Sequence, residues 1–315
     1  MKTLNCPLTF RRIGAAFRAS FTKSVRIAWW MIRLTVAVSL GVEILHYFGI
    51  IAWMSESLSP TFRLLGLPGE ASLAFLTGYF VNVYGAIAVV ETLSLGVREL
   101  TILGVMTLCA HNMFVETAVQ KKTGSSVVRM VAVRTLGALA SGFLAHWLLP
   151  GSMGAAAPAV AATAGQSLQA QAWCWLLSTG SLVLRMFVLI VALSFLQRLL
   201  AEFGVIRRLS KILRPVLKVF GLPAKASFLW IVANVLGLAY GAAVMIEEIE
   251  NGKISTREVD LLNHHVGIAH SNLEDLVLFV ACGALCWWLL LIRWFLALLL
   301  VWERRIEWRV ENGKW

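Results

Sequence analysis

Imidazoles, carboxylates and amides are scarce in this sequence, and they recur in matching surroundings. The first part of the chain offers Glu91, His111, Asn112 and Glu116; the second offers Glu247, Glu248, His264, His265, His270, Asn272, Glu274 and Asp275. All lie in or beside apolar stretches. An ionisable group there is costly and normally faces a bundle interior or a pathway. Imidazole with carboxylate suits a transition metal, whereas carboxylate with amide suits a harder cation or a proton relay. The candidate metal set is His111, Glu116, His270, Glu274 and Asp275. His270 and Glu274 are four apart, as are Asp260 and His264, and that spacing puts two ligands on one helix face. His264 and His265 read equally well as solvated residues at a membrane surface, and Glu91 and Glu247 as helix caps. Asn82, Tyr84 and Tyr240 adjoin the polar positions and complete the expected pathway. Arg134 and Arg293 fall inside apolar helices, so each needs a partner. Glu116 and Asp275 are the natural ones, which makes these two arginines structural ion-pair residues.

Elements that position such groups follow from composition. The chain has 315 residues, is 59% hydrophobic and 14% charged, and its mean hydropathy is +0.77. Globular chains are about 25% charged, so a water-soluble domain is excluded. Helices satisfy their own backbone in lipid, and the expectation is an all-α polytopic membrane protein. The 28 Lys/Arg against 17 Asp/Glu give a net charge of +11. In a membrane chain this excess reports loop orientation, and no nucleic acid is expected as a partner. Five cysteines, an odd number, argue against a disulfide framework. Residues 1–26 interleave Lys2, Arg11, Arg12, Arg18, Lys23 and Arg26 with Phe10, Phe17 and Phe21, the pattern of a basic amphipathic segment on the cytoplasmic leaflet.

The chain also repeats itself. Phe48-Gly49, Pro60, Gly66-Leu67-Pro68 and Ala71-Ser72 recur at Phe203-Gly204, Pro215, Gly221-Leu222-Pro223 and Ala226-Ser227. Tyr84-Gly85-Ala86 with Glu91 answers to Tyr240-Gly241-Ala242 with Glu247. Further on, Ala110-His111, Glu116 and Arg134 answer to Ala269-His270, Asp275 and Arg293. The expected organisation is a repeat over 24–149, an Ala/Gly/Pro-rich external linker over 150–171, a repeat over 172–303 and a basic cytoplasmic tail over 304–315. Residues 55–70 carry one basic residue, Arg63, whereas 198–225 carry seven. By the positive-inside rule the repeats are inverted. Each then has about three spanning helices plus one broken or re-entrant segment. Segments 101–118 and 259–280, interrupted by polar residues, are the first candidates for re-entry; the alternative makes 72–90 re-entrant and lets 101–118 cross. With the first assignment, Arg63, Lys253 and Arg257 are the basic residues left outside. The expected location is a bacterial cytoplasmic (inner) membrane, multi-pass, with both termini cytoplasmic.

The run Gly78-Tyr79-Phe80-Val81-Asn82-Val83-Tyr84-Gly85-Ala86-Ile87-Ala88, followed by Arg98-Glu99-Leu100-Thr101-Ile102-Leu103, resembles the Gate, or nucleoside-recognition, domain. It is similar in particular to the membrane region of the bacterial ferrous iron transport protein B family. The resemblance implies paired Gate units and transport of a small solute. It departs in placing Val81 and Tyr84 where that family has Cys and Pro, while Gly78 and Asn82 are kept and the second family Cys falls on Cys109. No Gly-x4-Gly-Lys-[Ser/Thr] run occurs in the sequence, so transport is expected to be passive, gradient-coupled or driven by a separate energising subunit. The first expectation is a transporter with a midplane site between inverted repeats, carrying a divalent metal such as ferrous iron. The alternatives are a nucleoside or small organic solute, held by Tyr79, Tyr84, Tyr240, Asn82 and Asn234, or a non-transporting membrane scaffold. No enzymatic activity is expected, since neither a Ser/His/Asp set nor His-Glu-x-x-His occurs. No cofactor is expected either; a metal would enter as substrate. The remaining expected partners are the lipid bilayer and a homo-oligomer or energising subunit.

Overall fold

The computed structural model describes residues 6–151, 153 and 168–311. The linker assigned to 150–171 lies mostly outside the described residues, as do residues 1–5 of the basic N-terminal segment and 312–315 of the tail. Every regular element among the described residues is helical. The first half comprises α1 (Cys6–Tyr47), α2 (Ile50–Leu64), α3 (Ala71–Phe80), α4 (Val83–Val90), α5 (Val97–Ala110), α6 (Met113–Lys122) and α7 (Val127–Leu148). The second comprises α8 (Leu168–Glu202), α9 (Val205–Ile212), α10 (Arg214–Val219), a single 3-10 turn at Ala224–Ala226, α11 (Ser227–Val235), α12 (Leu238–Glu250), α13 (Thr256–Val266), α14 (Asp275–Ala281) and α15 (Cys286–Glu311). Four stretches are long and apolar enough to cross a membrane: Val97–Lys122, Val127–Leu148, Ala172–Glu202 and Cys286–Glu311.

The same residue types break the helices in both halves. Gly49 and Gly204 stand at φ 71° and 67° between α1 and α2 and between α8 and α9, a left-handed conformation that glycine adopts without penalty. The Gly-Leu-Pro turns that follow place Gly66 and Gly221 at φ 70° and 75°. Asn112 and Ser271 interrupt α5–α6 and α13–α14 at φ 51° and 49°, the two non-glycine residues with positive φ among the described residues. Glu99 and Glu258 reach back to the backbone N–H of Gly96 and Ser255, at 2.6 and 2.9 Å, and start α5 and α13 in the same way.

These breaks set how each segment runs through the bundle. At one end of α5, Arg98 bonds to His146 near the end of α7; further along, Cys109 meets Ser141, and Arg134 reaches Glu116 in α6. The interrupted pair α5–α6 therefore runs antiparallel to α7 over its whole length. The pair α13–α14 does the same along α15, from Asp260 against Arg304 to His270 against Arg293. By contrast, α3 and α4 fold back on each other, with Gly78 against Ala86 and Gly85 against Thr77. Small residues permit that close approach. Gly241 against Ala233 closes the α11–α12 hairpin likewise.

Val97–Lys122, which contains 101–118, is long and apolar enough to cross, as the alternative assignment has it, and the helices of 71–90 and 227–250 fold back on themselves as hairpins. Charge counting had no power here, because both assignments leave the main basic loops where they are. One consequence is a correction for Lys253 and Arg257. The α12–α13 connection packs beside the α6–α7 turn, Gly124 against Thr256 and Ser125 against Asp260, so these two residues lie at the basic end of the bundle with Lys121, Lys122 and Arg129. The long helices α1 and α8 pack antiparallel, with Phe17 on Phe195 and Ser39 on Thr179. Phe143, Trp147, Leu184, Leu291 and Phe295 remain exposed, as residues facing lipid do.

The hairpin assignment is testable by single cysteines on a background without the native ones. Glu70→Cys and Ser94→Cys, at the two ends of α3–α4, are expected to be labelled from the same side of the membrane. Lys122→Cys is expected to be labelled from the other. Labelling of Glu70→Cys and Ser94→Cys from opposite sides would show that 71–90 crosses.

Candidate functional site

A helix that stops inside the bundle leaves its last carbonyls without intrahelical partners. Arg134, in α7, supplies donors at the α5 break: Nε to the Cys109 carbonyl at 3.3 Å and Nη2 to the His111 carbonyl at 2.5 Å. Arg293, in α15, does the same at the α13 break, with Nε to Ile268 O at 2.9 Å and Nη2 to His270 O at 2.6 Å. Both guanidiniums are fully buried. They sit at the negative poles of interrupted helices, which favours a cation there. The hairpin tips fasten to the same breaks, through Asn112 N–H to Gly78 O at 2.8 Å and Ser271 N–H to Ala233 O at 3.4 Å.

The expected ion pairs are half realised. Arg134 Nη2 meets Glu116 Oε2 at 2.6 Å. Arg293 does not use Asp275 as its hydrogen-bond partner; its Nη1 donates to Asn272 Oδ1 at 3.0 Å, and Asn272 in turn donates to Asn234. At the position matching Asn272 the first half has Met113, which accepts nothing from Arg134, and Arg134 Nη1 has no partner. The amide in one half takes over the donor that the other half leaves over, so Asp275 is free to serve elsewhere.

Asp275 turns to the opposite half. Its Oδ2 lies 3.1 Å from His111 Nε2, which is also 3.1 Å from Glu116 Oε1. His270 Nε2 lies 3.2 Å from that same Glu116 oxygen. The two imidazole rings are 5.0 Å apart, centre to centre. All four side chains are buried, and ligand atoms of His111, His270 and Asp275 lie within 4.8 Å of one another. His270 Nδ1 is 2.6 Å from the Val266 carbonyl, an acceptor, so that nitrogen carries the proton. A neutral His270 then points its Nε2 lone pair at a carboxylate oxygen. Two acceptors this close require a cation between them, either a proton or a metal. A backbone carbonyl on the far ring nitrogen is also how metal-binding histidines are held in register.

Other expected residues fall around this centre or away from it. Glu274 is not among the ligand atoms; its carboxylate accepts from Tyr84 Oη at 2.7 Å and Gln197 Nε2 at 3.2 Å. Gln197 was missed, although a lone amide in the apolar run of α8 was a visible signal. Asn82 caps α4 by accepting from Gly85 N–H at 2.9 Å. Glu91 pairs with Arg185 at 2.5 Å, outside the central cluster. Tyr240 and Glu247 are exposed on α12, outside the cluster. Tyr84 stands two residues past its helix cap, Asn82, and Tyr240 three past Gly237; one residue is ~100° of helix rotation. His264 and His265 are fully buried rather than solvated. His264 accepts from Arg129 Nε at 2.7 Å, and its other nitrogen meets Asp260 O. Asp260 binds Ser125 and Arg304, so this set clasps the two halves together at the basic end.

A family model described as nucleoside recognition, the Gate model, matches residues 28–145 and 183–288. The chain belongs to the Gate family. The two matched stretches of this Gate protein fall one in each half, and each contains one of the central histidines. It is also similar to the uncharacterized membrane protein YvoD of Bacillus subtilis (strain 168), 29% identical over 298 residues that cover 93% of this chain and 95% of that one. No solved structure matches. The Gate assignment and the apolar helices together make this a membrane-embedded protein.

Removing one partner of a buried ion pair typically costs about 3–5 kcal/mol. Arg134→Ala is expected to lose on that order in detergent unfolding, since it strands Glu116 and two carbonyls. Tyr84→Phe removes one hydrogen bond to Glu274 and is expected to cost about 1–3 kcal/mol. Equal, small effects of the two substitutions would mean that the guanidinium does not hold the break.

Proposed function

We propose that this Gate protein is a transporter that carries a small cation, a divalent transition metal such as ferrous iron, through a site where the two broken helices cross. One observation carries the reading: His270 Nε2 and Glu116 Oε1 face each other at 3.2 Å while His270 Nδ1 is already bound to a carbonyl. Two imidazoles with carboxylate oxygens form the mixed nitrogen and oxygen donor set that borderline metals prefer. His111, His270, Asp275 and Glu116 are the ligands in this proposal. Arg134 and Arg293 keep the helix ends rigid, and Tyr84, Glu274 and Gln197 form the adjoining polar surface.

The accompanying topology has six crossings, α1, α5–α6, α7, α8, α13–α14 and α15, with two hairpins entering from opposite ends. The basic end, which gathers Lys121, Lys122, Arg129, Arg257, Arg304 and Arg305, is cytoplasmic by the positive-inside rule. Both termini then lie inside, and the membrane is the bacterial inner membrane. The inverted halves support alternating access by rocking one against the other. The description of the family keeps a nucleoside as the second reading. The amides available for it are engaged, however: Asn82 caps a helix, and Asn234 and Asn272 bind each other.

Purified protein is expected to gain thermal stability with ferrous, manganous or zinc ions; a ligand at 100 times its Kd adds about 2.7 kcal/mol. His111→Ala and His270→Ala should each abolish that gain and the metal flux into proteoliposomes. A shift with nucleosides and none with metals would replace the metal reading. Absence of flux for metals, nucleosides and protons would favour a scaffold.

A further inference from the structure

Away from the central site, a cavity of 670 Å³ opens at the basic end between the Gly221–Ala224 turn, the start of α13 and the last turns of α15. Lys218, Arg257, Arg305 and Arg309 line it, with one carboxylate, Glu258. That carboxylate accepts from Ser255, whose N–H and Oγ lie 2.9 and 3.0 Å away, which leaves four basic side chains against one acid in the lining. Arg305 donates to the Gly221 carbonyl at 3.1 Å and lies over the Trp302 ring. Lys218 and Arg309 are exposed, and among the described residues no carboxylate pairs with either.

The first half offers a direct comparison for the same place. The spacing that matches His111 to His270 also matches Arg98 to Arg257 and His146 to Arg305, and Gly66-Leu67-Pro68 forms the equivalent turn. There Arg98 Nη2 donates to His146 Nδ1 at 3.0 Å and to the His146 carbonyl at 2.7 Å. The imidazole ring also fills the space against Gly66. Arg305 replaces this acceptor with a second guanidinium, which has five donors and no acceptor. Like charges then face a cavity that an imidazole closes on the other side.

We propose that this cavity binds a phosphate-bearing anion, presented as the headgroup of an anionic phospholipid. Arginine pairs suit phosphate because their planar forks bind its oxygens bidentately. The approach to the cavity points to lipid rather than to a free ion. Helices α9 and α10 carry Arg207, Arg208, Lys211 and Arg214, while Ile212 and Val219 are 69% and 66% exposed. A basic segment with exposed aliphatic residues lies on an anionic leaflet, and basic pockets between membrane helices on that side take phosphate headgroups.

The test uses the full-length protein, delipidated in detergent, with thermal stability read against phosphatidylglycerol, phosphatidylcholine and inorganic phosphate. Phosphatidylglycerol is expected to stabilise and phosphatidylcholine not to. The Lys218→Gln/Arg309→Gln double variant should weaken the phosphatidylglycerol response about fivefold for each charge removed, with unliganded stability unchanged. Arg305→His rebuilds the arrangement of the first half and should abolish the response while the protein stays folded. Arg208→Gln, outside the cavity, should retain it. A response to inorganic phosphate with the same variant sensitivity, and none to lipid, would overturn the lipid source and assign the site to a soluble phosphate. Equal responses to the two lipids without a phosphate response, or equal losses in Arg208→Gln and the double variant, would overturn the site.

Discussion

The architecture depends on two buried guanidiniums, each closing the open end of a helix. Within a bundle that faces hydrocarbon, an interrupted helix exposes carbonyls that lipid cannot satisfy. Arg134 and Arg293 answer this with the same two bonds each, made to carbonyls at matching positions. A lysine has no planar fork to reach two carbonyls at once. The breaks are therefore fixed features with defined ends, and the residues just past them are held where the two halves meet.

The chemistry of the centre follows from how the breaks are juxtaposed. α5–α6 and α13–α14 run in opposite directions, with Leu285 N–H on Thr101 at one end and Asn263 on Thr123 at the other. Their interruptions coincide midway, and the imidazoles of the two halves come to 5.0 Å. The acids then divide by reach. Glu116 bridges Arg134 and both histidines, while Asp275, one methylene shorter, touches His111. A pair of positions that look equivalent in sequence is thus used unequally.

That inequality marks the limit of what could be read beforehand. The repeated His, Arg and acid positions were legible because an ionisable residue in an apolar run is rare and its recurrence is specific. The Arg134–Glu116 pair was legible for the same reason. The partner of Arg293 was not, because it depends on Asn272 standing where Met113 stands, a difference that matters only once the guanidinium is placed. Nor could the course of 101–118 along α7 be read from charge, since an interrupted straight path and a hairpin share the same polar interruption. The hairpin that does form, α3–α4, rests on Gly78 and Gly85, which let the two helices touch. Tyr84 and Tyr240 share a Tyr-Gly-Ala triplet but not a helix face, because the triplet does not record where each helix begins.

The basic end of the bundle is clasped by more charged hydrogen bonds between the halves than the opposite end, and this bears on how a transporter of the proposed design would move. At the basic end the halves are clasped directly: Arg129 holds Glu303 and Glu307 at 3.0 and 2.8 Å, and Ser125 reaches across to Asp260, which Arg304 of its own half holds at 2.9 Å. At the opposite end Arg98 is satisfied within its own half by His146, and the halves meet there through the Glu91–Arg185 ion pair, the Cys282–Glu91 and Leu285–Thr101 bonds and the apolar contact of Gly104 with Phe279. Apolar contacts tolerate sliding, whereas a clasp of charged hydrogen bonds must break before its elements part. Opening at the basic end would therefore expose several charges that need new partners, and water entering from that side can supply them.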